Sequence, residues 1–195
     1  MSTQNVANGS ARWRVAIVDD HEPSRKAVRE AVLAAGGGIV GESVRCGDVV
    51  PMVRHASPDI VVCAAGLPDG DGVQAAAQVV QADCPVVLFT SHTDAALVER
   101  ARAAGIMAFL LKPLRPAELA PVLDLAIARF KDTRALKQSL EGRKVIERAK
   151  GTLMTRLGLT EDEAFRRLRR AAMDSRRPMV DIAKALLVSE TVSRP

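Results

Sequence analysis

Short apolar runs and helical patterns alternate along the chain from Arg14 to about Lys112. The apolar runs are VAIVDD, IVGES, DIVVCA, PVVLFT and MAFLLK. Helical spacing appears between them near Pro23 to Ala35, Asp48 to His55, Val73 to Gln81 and Ala95 to Ala104. The runs are almost continuous in Val, Ile and Leu, which is typical of strands buried on both faces. The pattern therefore predicts an α/β fold with a five-stranded, parallel, doubly wound sheet.

Beyond Pro116 the pattern becomes helical with little interruption. The stretch ELAPVLDLAIARFKDTRALKQSLEGRKVIERAKGTLMTRL holds many strong helix formers and predicts a long connecting helix. Its residues with a rough 3-4 spacing fit either a dimer seam or a helix packed on its own domain. They are Leu119, Leu123, Ala126, Phe130, Thr133, Lys137 and Leu140.

The last segment predicts a three-helix, all-α domain. A first helix runs from Glu141 to Leu157, and Gly158 suits the left-handed position that ends it. Thr160 and Glu163 have the spacing of a capping box that starts the second helix, and Pro178 opens the third. The apolar stripe of the second helix is Ala164, Phe165, Leu168 and Ala172, which places Phe165 in the core.

These patterns predict four segments. Residues 1–12 form a polar tail that we expect to be disordered, and residues 13–116 form the α/β core. Residues 117–140 form the last helix of that domain and continue it into a helical linker, while residues 136–190 form the C-terminal domain.

Composition favours a reducing, aqueous setting. The 195 residues are 48% apolar and 26% charged, which fits one large or two small globular domains. Cys46, Cys63 and Cys84 are far apart and lack metal-ligand spacing, so neither disulfides nor a zinc site is expected. The N-terminus lacks the apolar region of a signal peptide, and no window is long and apolar enough to span a membrane. We expect a cytoplasmic protein.

The excess positive charge lies near the C-terminus. The formal charge is +5, and 13 of the 28 Lys and Arg but only 8 of the 23 Asp and Glu lie between Leu136 and Glu190. That segment therefore carries the whole net charge of +5, and the rest of the chain is neutral. This asymmetry favours a polyanionic partner for the last third of the chain, the alternative being a solvated basic face.

Several candidate site residues follow the apolar runs. Asp19, Asp20, Ala64, Thr90 and Lys112 all fall at the C-terminal ends of predicted strands. Because ligands bind at this edge of parallel sheets, the pattern predicts that these residues meet in one crevice.

Two families resemble the chain at this point. Residues 14 to about 131 resemble the receiver domain of two-component response regulators, a flavodoxin-like fold, through VDDHEPSR, LPDGDG, LFTSH and LLKPL. Residues 136–190 resemble the ANTAR domain, an RNA-binding antitermination module, through RKVIERAKGTLM, EAFRRLRRAAMD and DIAKALL. Together the resemblances cover nearly the whole chain.

The receiver resemblance implies a phosphorylation pocket. Asp19 and Asp20 match the acidic pair that holds a divalent cation, and Thr90 and Lys112 match the groups that bind phosphate oxygens. Phe109 matches the aromatic switch position.

The nucleophile of this pocket is replaced by Ala64. A methyl group has no nucleophilic atom and cannot ligate Mg²⁺, so we expect no acyl phosphate there and a Mg²⁺ site at Asp19 and Asp20 that is weak or absent. No other cofactor is expected. Lys112 is expected to pair with an aspartate, while Asp69 and Asp71 are expected to be solvated turn residues rather than substitute acceptors.

The ANTAR resemblance implies a dimeric antiterminator that binds stem-loops in leader RNA and is not an enzyme. Arg143, Lys150, Arg167 and Arg170 are the candidate RNA contacts, because arginine in particular donates paired hydrogen bonds to phosphates. Without phosphorylation, control is expected through a partner protein, a ligand or dimerisation. Two alternatives are a DNA-binding regulator with a helix-turn-helix effector and a phosphatase that uses Asp19 as nucleophile.

Overall fold

A computed structural model describes residues 11–192, with side chains described as far as Ser189. Of the predicted disordered tail, residues 1–10 lie outside the described residues. Arg12, at its other end, donates hydrogen bonds to the Gly36 carbonyl and to the Asp124 carboxylate. The chain divides into two compact units, residues 1–131 and residues 132–195.

The first unit is built on a five-stranded parallel sheet. Its strands are β1 (Arg14–Val18), β2 (Gly38–Ser43), β3 (Ile60–Ala64), β6 (Val86–Thr90) and β7 (Ala108–Leu111). They lie in the order β2-β1-β3-β6-β7. A small antiparallel hairpin follows β3 and consists of β4 (Gly66–Leu67) and β5 (Gly70–Asp71). The predicted fold class is confirmed.

Helices cover both faces of this sheet. They are α1 (Glu22–Ala34), α2 (Val49–Ala56), α3 (Gly72–Gln81), α4 (Ala95–Ala103) and the first turns of α5 (Pro116–Leu157). One apolar core joins α1 and α5 to the sheet, and a second joins α2, α3 and α4 to its other face. All five residues of β3 are buried, as are all five of β6. Each buried Val or Ile side chain contributes about 1.5–3 kcal/mol, which explains why continuous apolar runs become central strands.

The start of α3 packs tightly on the end of β3. Asp71 caps this helix by accepting a hydrogen bond from the Val73 N–H, and Gly72 is the first helical residue. A methyl group at Gly72 would lie 1.9 Å from the Ala64 carbonyl oxygen, closer than any two such atoms can approach. Only glycine therefore allows α3 to begin at this distance from β3.

The second unit contains the remainder of α5 together with α6 (Glu161–Ser175) and α7 (Met179–Val192). Its small core consists of Ala149, Leu153, Ala164, Leu168 and Ala183. The predicted capping box at Thr160 and Glu163 is present, and Gly158 has the predicted positive φ of 64°. Within the described residues, no helix has the length and apolar character needed to cross a membrane.

One open alternative about a helix face is decided, and one expectation needs correction. Leu119, Leu123 and Ala126 are fully buried in the core of the first unit, so this half of the proposed dimer seam packs on its own domain. Phe165 is 38% exposed instead of lying in the core, because the buried face of α6 is formed by Ala164, Leu168 and Ala172. The apolar stripe of α6 is therefore narrower than its sequence suggests.

Replacing Gly72 with alanine is expected to lower the free energy of unfolding by about 3 kcal/mol, because the added methyl group meets backbone atoms that cannot move aside. Urea denaturation measures this. Gly66→Ala is the matched control, since its methyl group would meet nothing within 4 Å. Equal stability of the two variants would contradict the close packing of α3 on β3.

Candidate functional site

The register of the sheet brings the predicted pocket residues to one edge. Val18, the last residue of β1, pairs with Cys63, so Asp19 follows at the level of Ala64. Ala64 ends β3, Thr90 ends β6, and Lys112 follows the last residue of β7. The Lys112 N–H also donates to the Thr90 carbonyl at 2.8 Å. Because the strands are parallel, all these ends lie at the same side of the sheet.

A buried ion pair occupies this edge. The Lys112 Nζ lies 2.5 Å from the Asp19 Oδ2, and the Asp19 side chain is only 1% exposed. The ammonium and the carboxylate form an ion pair, but their orientation does not meet the geometry of a hydrogen bond. Among the described residues, Asp19 Oδ2 therefore accepts no hydrogen bond. Asp19 Oδ1 accepts from the His21 N–H at 3.0 Å. The expected pairing of Lys112 with an aspartate is observed, and its partner is Asp19.

The remaining groups disfavour a divalent cation at this edge. The Lys112 ammonium already neutralises Asp19, so a cation at Oδ2 would meet a positive charge. Asp20 is exposed, and the Ala64 methyl group offers no oxygen. Among the described side chains, residues 11–189, no cluster of three or more His, Cys, Asp or Glu is placed to hold a metal ion.

Thr90 and Phe109 occupy distinct environments near the pocket. The buried Thr90 hydroxyl donates to the His92 carbonyl at 3.0 Å, which ties it to the loop before α4. Phe109 is partly buried and packs against the core beneath α2, α3 and α4. The Lys112 Nζ lies 5.1 Å from the centre of the Phe89 ring, a favourable contact for a partly desolvated ammonium.

Asp69 lies in an exposed turn, as the sequence suggested, whereas Asp71 is partly buried, and both carboxylates also make structural contacts. Asp69 accepts hydrogen bonds from the backbone N–H groups of Cys46 and Gly47, at 2.8 and 3.2 Å, and these bonds lower its pKa. Asp71 caps α3 and forms an ion pair with Arg100 of α4. The two carboxylates therefore anchor the β4–β5 hairpin, and neither is held at the end of β3 where an acceptor would belong.

The cysteines offer no alternative nucleophile. Burial raises the pKa of the Cys63 and Cys84 thiols to about 12, and burial beside Asp69 raises the pKa of Cys46. All three are free thiols. Because the thiolate is the reactive form, a raised pKa lowers the fraction of each thiol that can act as a nucleophile at neutral pH.

An arginine groove lies on α6 in the second unit. Arg166, Arg167 and Arg170 line it and are exposed, together with Glu163 and Asp174. Glu163 is engaged in the capping box, where hydrogen bonds from the Thr160 N–H and hydroxyl lower its pKa. The groove therefore presents two of the predicted RNA contacts, Arg167 and Arg170, on one helix face.

Lys150 does not fit its predicted role. Its side chain is 10% exposed, and its ammonium is bonded to Glu147 and to Glu161, at 2.9 and 2.6 Å. The hydrogen bonds that it donates to these carboxylates raise the Lys150 pKa, so the charge is held inside the unit, where it links α5 to α6. Arg143, the fourth predicted contact, is exposed on α5.

Sequence reasoning missed two arginines that position the sites. Arg25 of α1 donates to the Asp19 carbonyl at 2.7 Å and so supports the strand end that carries the buried carboxylate. Arg100 of α4 binds Asp71. No local sequence motif marks either residue, because Arg25 lies 6 positions from Asp19 and Arg100 lies 29 positions from Asp71.

Comparisons with known proteins agree with this division of the chain. Residues 15–124 match the model of the response regulator receiver domain, and residues 134–187 match that of the ANTAR domain. The chain is 37% identical over 197 residues to the transcriptional regulatory protein PdtaR of Mycobacterium tuberculosis, covering 97% of this chain and 95% of PdtaR.

Two further similarities each concern one part of the chain. The nitrate regulatory protein of Klebsiella oxytoca is 48% identical over 60 residues, which are 31% of this chain and 15% of that protein. The signal receiver domain of the putative response regulator NarL from Mycobacterium tuberculosis superimposes with a TM-score of 0.55 at 30% identity. That match covers 60% of this chain and 98% of the NarL domain.

The ion pair at the sheet edge yields a stability prediction. Lys112→Met is expected to lower the free energy of unfolding by about 2 kcal/mol, because it leaves the Asp19 carboxylate buried without a positive partner. In an Asp19→Asn background the same substitution should have a much smaller effect. A double-mutant cycle in urea measures the coupling. A coupling energy near zero would contradict an energetic role for this pair.

Proposed function

Because the chain belongs to the response regulators that join a receiver domain to an ANTAR domain, we propose that it is a transcription antiterminator that binds stem-loops in leader RNA. The family is regulatory and not enzymatic, and ANTAR domains are RNA-binding domains. We further propose that its receiver domain responds without phosphorylation and that the protein acts in the cytoplasm.

The arginine groove of α6 is the observation that carries the RNA proposal. Arg166, Arg167 and Arg170 are exposed at successive turns of one helix, and a guanidinium group donates two parallel hydrogen bonds to a phosphate. The segment from Leu136 to Glu190, which contains the groove, carries the whole net charge of the chain, and this strengthens its attraction to a polyanion. We propose Arg167 and Arg170 as contacts, with Arg143 on α5, and we no longer include Lys150.

The receiver domain, which would receive the signal, is proposed to be a pseudo-receiver that is not phosphorylated. Its pocket consists of Asp19, Asp20, Ala64, Thr90, Phe109 and Lys112. With Ala64 in the place of the acceptor, the end of β3 carries no carboxylate to attack a phosphoryl group, and the Asp19–Lys112 pair supplies internally the charge balance that a metal ion would provide. Mg²⁺ binding at Asp19 and Asp20 is proposed to be weak or absent, and no other cofactor is invoked.

A second copy of the chain is the partner that we propose first. Receiver domains often dimerise. In the second unit, residues 132–140 of α5 are exposed on every side, and Leu136 and Leu140 lie one turn apart there. Two leucines in this arrangement favour pairing of helices. A regulatory partner protein that binds the receiver is the alternative source of the signal.

The rival functions have less support. A phosphatase that uses Asp19 needs an accessible nucleophile, whereas the Asp19 carboxylate is buried and neutralised by Lys112. A DNA-binding regulator would use a similar basic surface, but the last helices match the ANTAR model. Filter binding of RNA hairpins and duplex DNA at the same salt concentration separates the two, and a strong preference for the duplex would exclude the RNA proposal.

Treatment with a phosphate donor tests the proposal that the receiver domain is not phosphorylated. After treatment with acetyl phosphate and Mg²⁺, the wild-type chain is expected to show no mass increase and no change in oligomeric state, because residue 64 has no nucleophile. Ala64→Asp restores a carboxylate at the strand end and should gain one phosphoryl group. Ala64→Asn, of the same size but without a nucleophile, is the control. A stable adduct on any aspartate of the wild type would overturn the proposal.

Removal of the groove arginines tests the proposal that α6 binds RNA. The double variant Arg167→Ala, Arg170→Ala should weaken stem-loop binding about tenfold or more and lower the slope of log affinity against log salt by about 0.7–0.9 for each phosphate that is no longer bound. Filter binding at several salt concentrations measures both. Arg54→Ala, an exposed arginine on α2 in the other unit, is the matched control. Unchanged binding by the double variant would place the interface elsewhere.

A further inference from the structure

An arginine occupies a backbone position that usually belongs to glycine. Arg176, directly after the last residue of α6, has φ 53° and ψ 37°, which is the left-handed conformation. L-residues with a Cβ adopt it at a cost that glycine avoids. The geometry is required because the turn closes α6, with the Arg177 N–H donating to the Ala172 carbonyl at 3.0 Å.

The same unit makes an equivalent turn with glycine. After α5 the left-handed position is filled by Gly158, with φ 64°. The chain thus places a flexible residue at one helix end and a long cationic side chain at the next, although both ends need the same backbone conformation. The two turns differ in the side chain, since Arg176 carries a guanidinium group where Gly158 has none.

The fold does not use this guanidinium group. Arg176 and Arg177 are both exposed, and neither side chain forms an ion pair or hydrogen bond with the part of the chain that the structure describes. A positive charge near the end of a helix favours its dipole. Arg177 supplies such a charge at the next position, so the dipole alone does not require arginine at the strained one.

The two arginines follow the helix that carries the groove. The groove reaches Asp174 in the last turn of α6, and Arg176 and Arg177 come directly after that turn. Exposed arginines therefore lie both in the groove and at the turn that ends its helix. We infer that Arg176 and Arg177 bind RNA backbone phosphates next to those held in the groove. This inference rests on the proposed RNA-binding function and adds to it a second contact region.

Replacement of Arg176 by glycine separates binding from folding. The full-length chain is first used to select a stem-loop RNA from a pool with a randomised loop, and that RNA is the probe. Arg176→Gly should leave the midpoint of thermal unfolding unchanged or raise it, because the backbone strain is removed. Its Kd for the probe should rise roughly fivefold to tenfold, and its salt slope should fall by about 0.7–0.9. Arg176→Lys keeps the positive charge and should keep most of the slope of log affinity against log salt concentration.

Ser57→Gly is the matched control, since Ser57 has φ 46° at the end of α2 in the other unit. It should gain stability without any change in RNA binding. An unchanged Kd and slope for Arg176→Gly would overturn the inference while leaving the proposed function intact. A clear loss of stability in that variant would also overturn it, because the side chain would then serve the fold. A wild-type chain that selects no RNA would instead overturn the proposed function itself.

Discussion

The burial of the three central parallel strands, β1, β3 and β6, on both faces is the constraint on which the first unit depends. Backbone groups cut off from water must be paired, and the parallel ladder pairs them along β1, β3 and β6. The ladder in turn aligns the strand ends, so Asp19, Ala64 and Thr90 meet at one edge although they are far apart in sequence. The tight start of α3 at Gly72 and the anchored β4–β5 hairpin close this edge from one side.

Charge at this edge is balanced within the protein. A buried carboxylate needs a positive partner, and in this chain Lys112 supplies it directly to Asp19. Ala64, at the end of β3, carries no charge, so it does not compete with Asp19 for Lys112. Around it, Arg25 supports the Asp19 backbone, Asp69 binds the turn before α2, and Asp71 binds Arg100. The pocket is thus part of a network of structural contacts.

Features set by neighbouring residues could be predicted from the sequence, and features set by distant ones could not. The strands followed from continuous Val and Ile runs, and both the capping box of Thr160 and Glu163 and the left-handed Gly158 followed from local spacing. Lys150 was misassigned because Glu161 binds it across the turn between two helices, 11 positions away. The hydrogen bonds of Asp69 with the Cys46 and Gly47 N–H groups and the exposure of Phe165 were missed for the same reason, since both depend on which elements pack together. Periodicity alone does not determine that packing.

Ala64 also bears on how long a response lasts. An acyl phosphate outlasts the signal that produced it, because the modified state persists until it is hydrolysed. Its formation draws on the chemical energy of a phosphate donor. A regulator that lacks such a state at residue 64 works at equilibrium. Its output would follow the momentary concentration of whatever binds the receiver and would cease when that molecule dissociates. In the proposed function the protein would therefore have no memory of its signal, and the sharpness of its response would be limited to what binding and association provide.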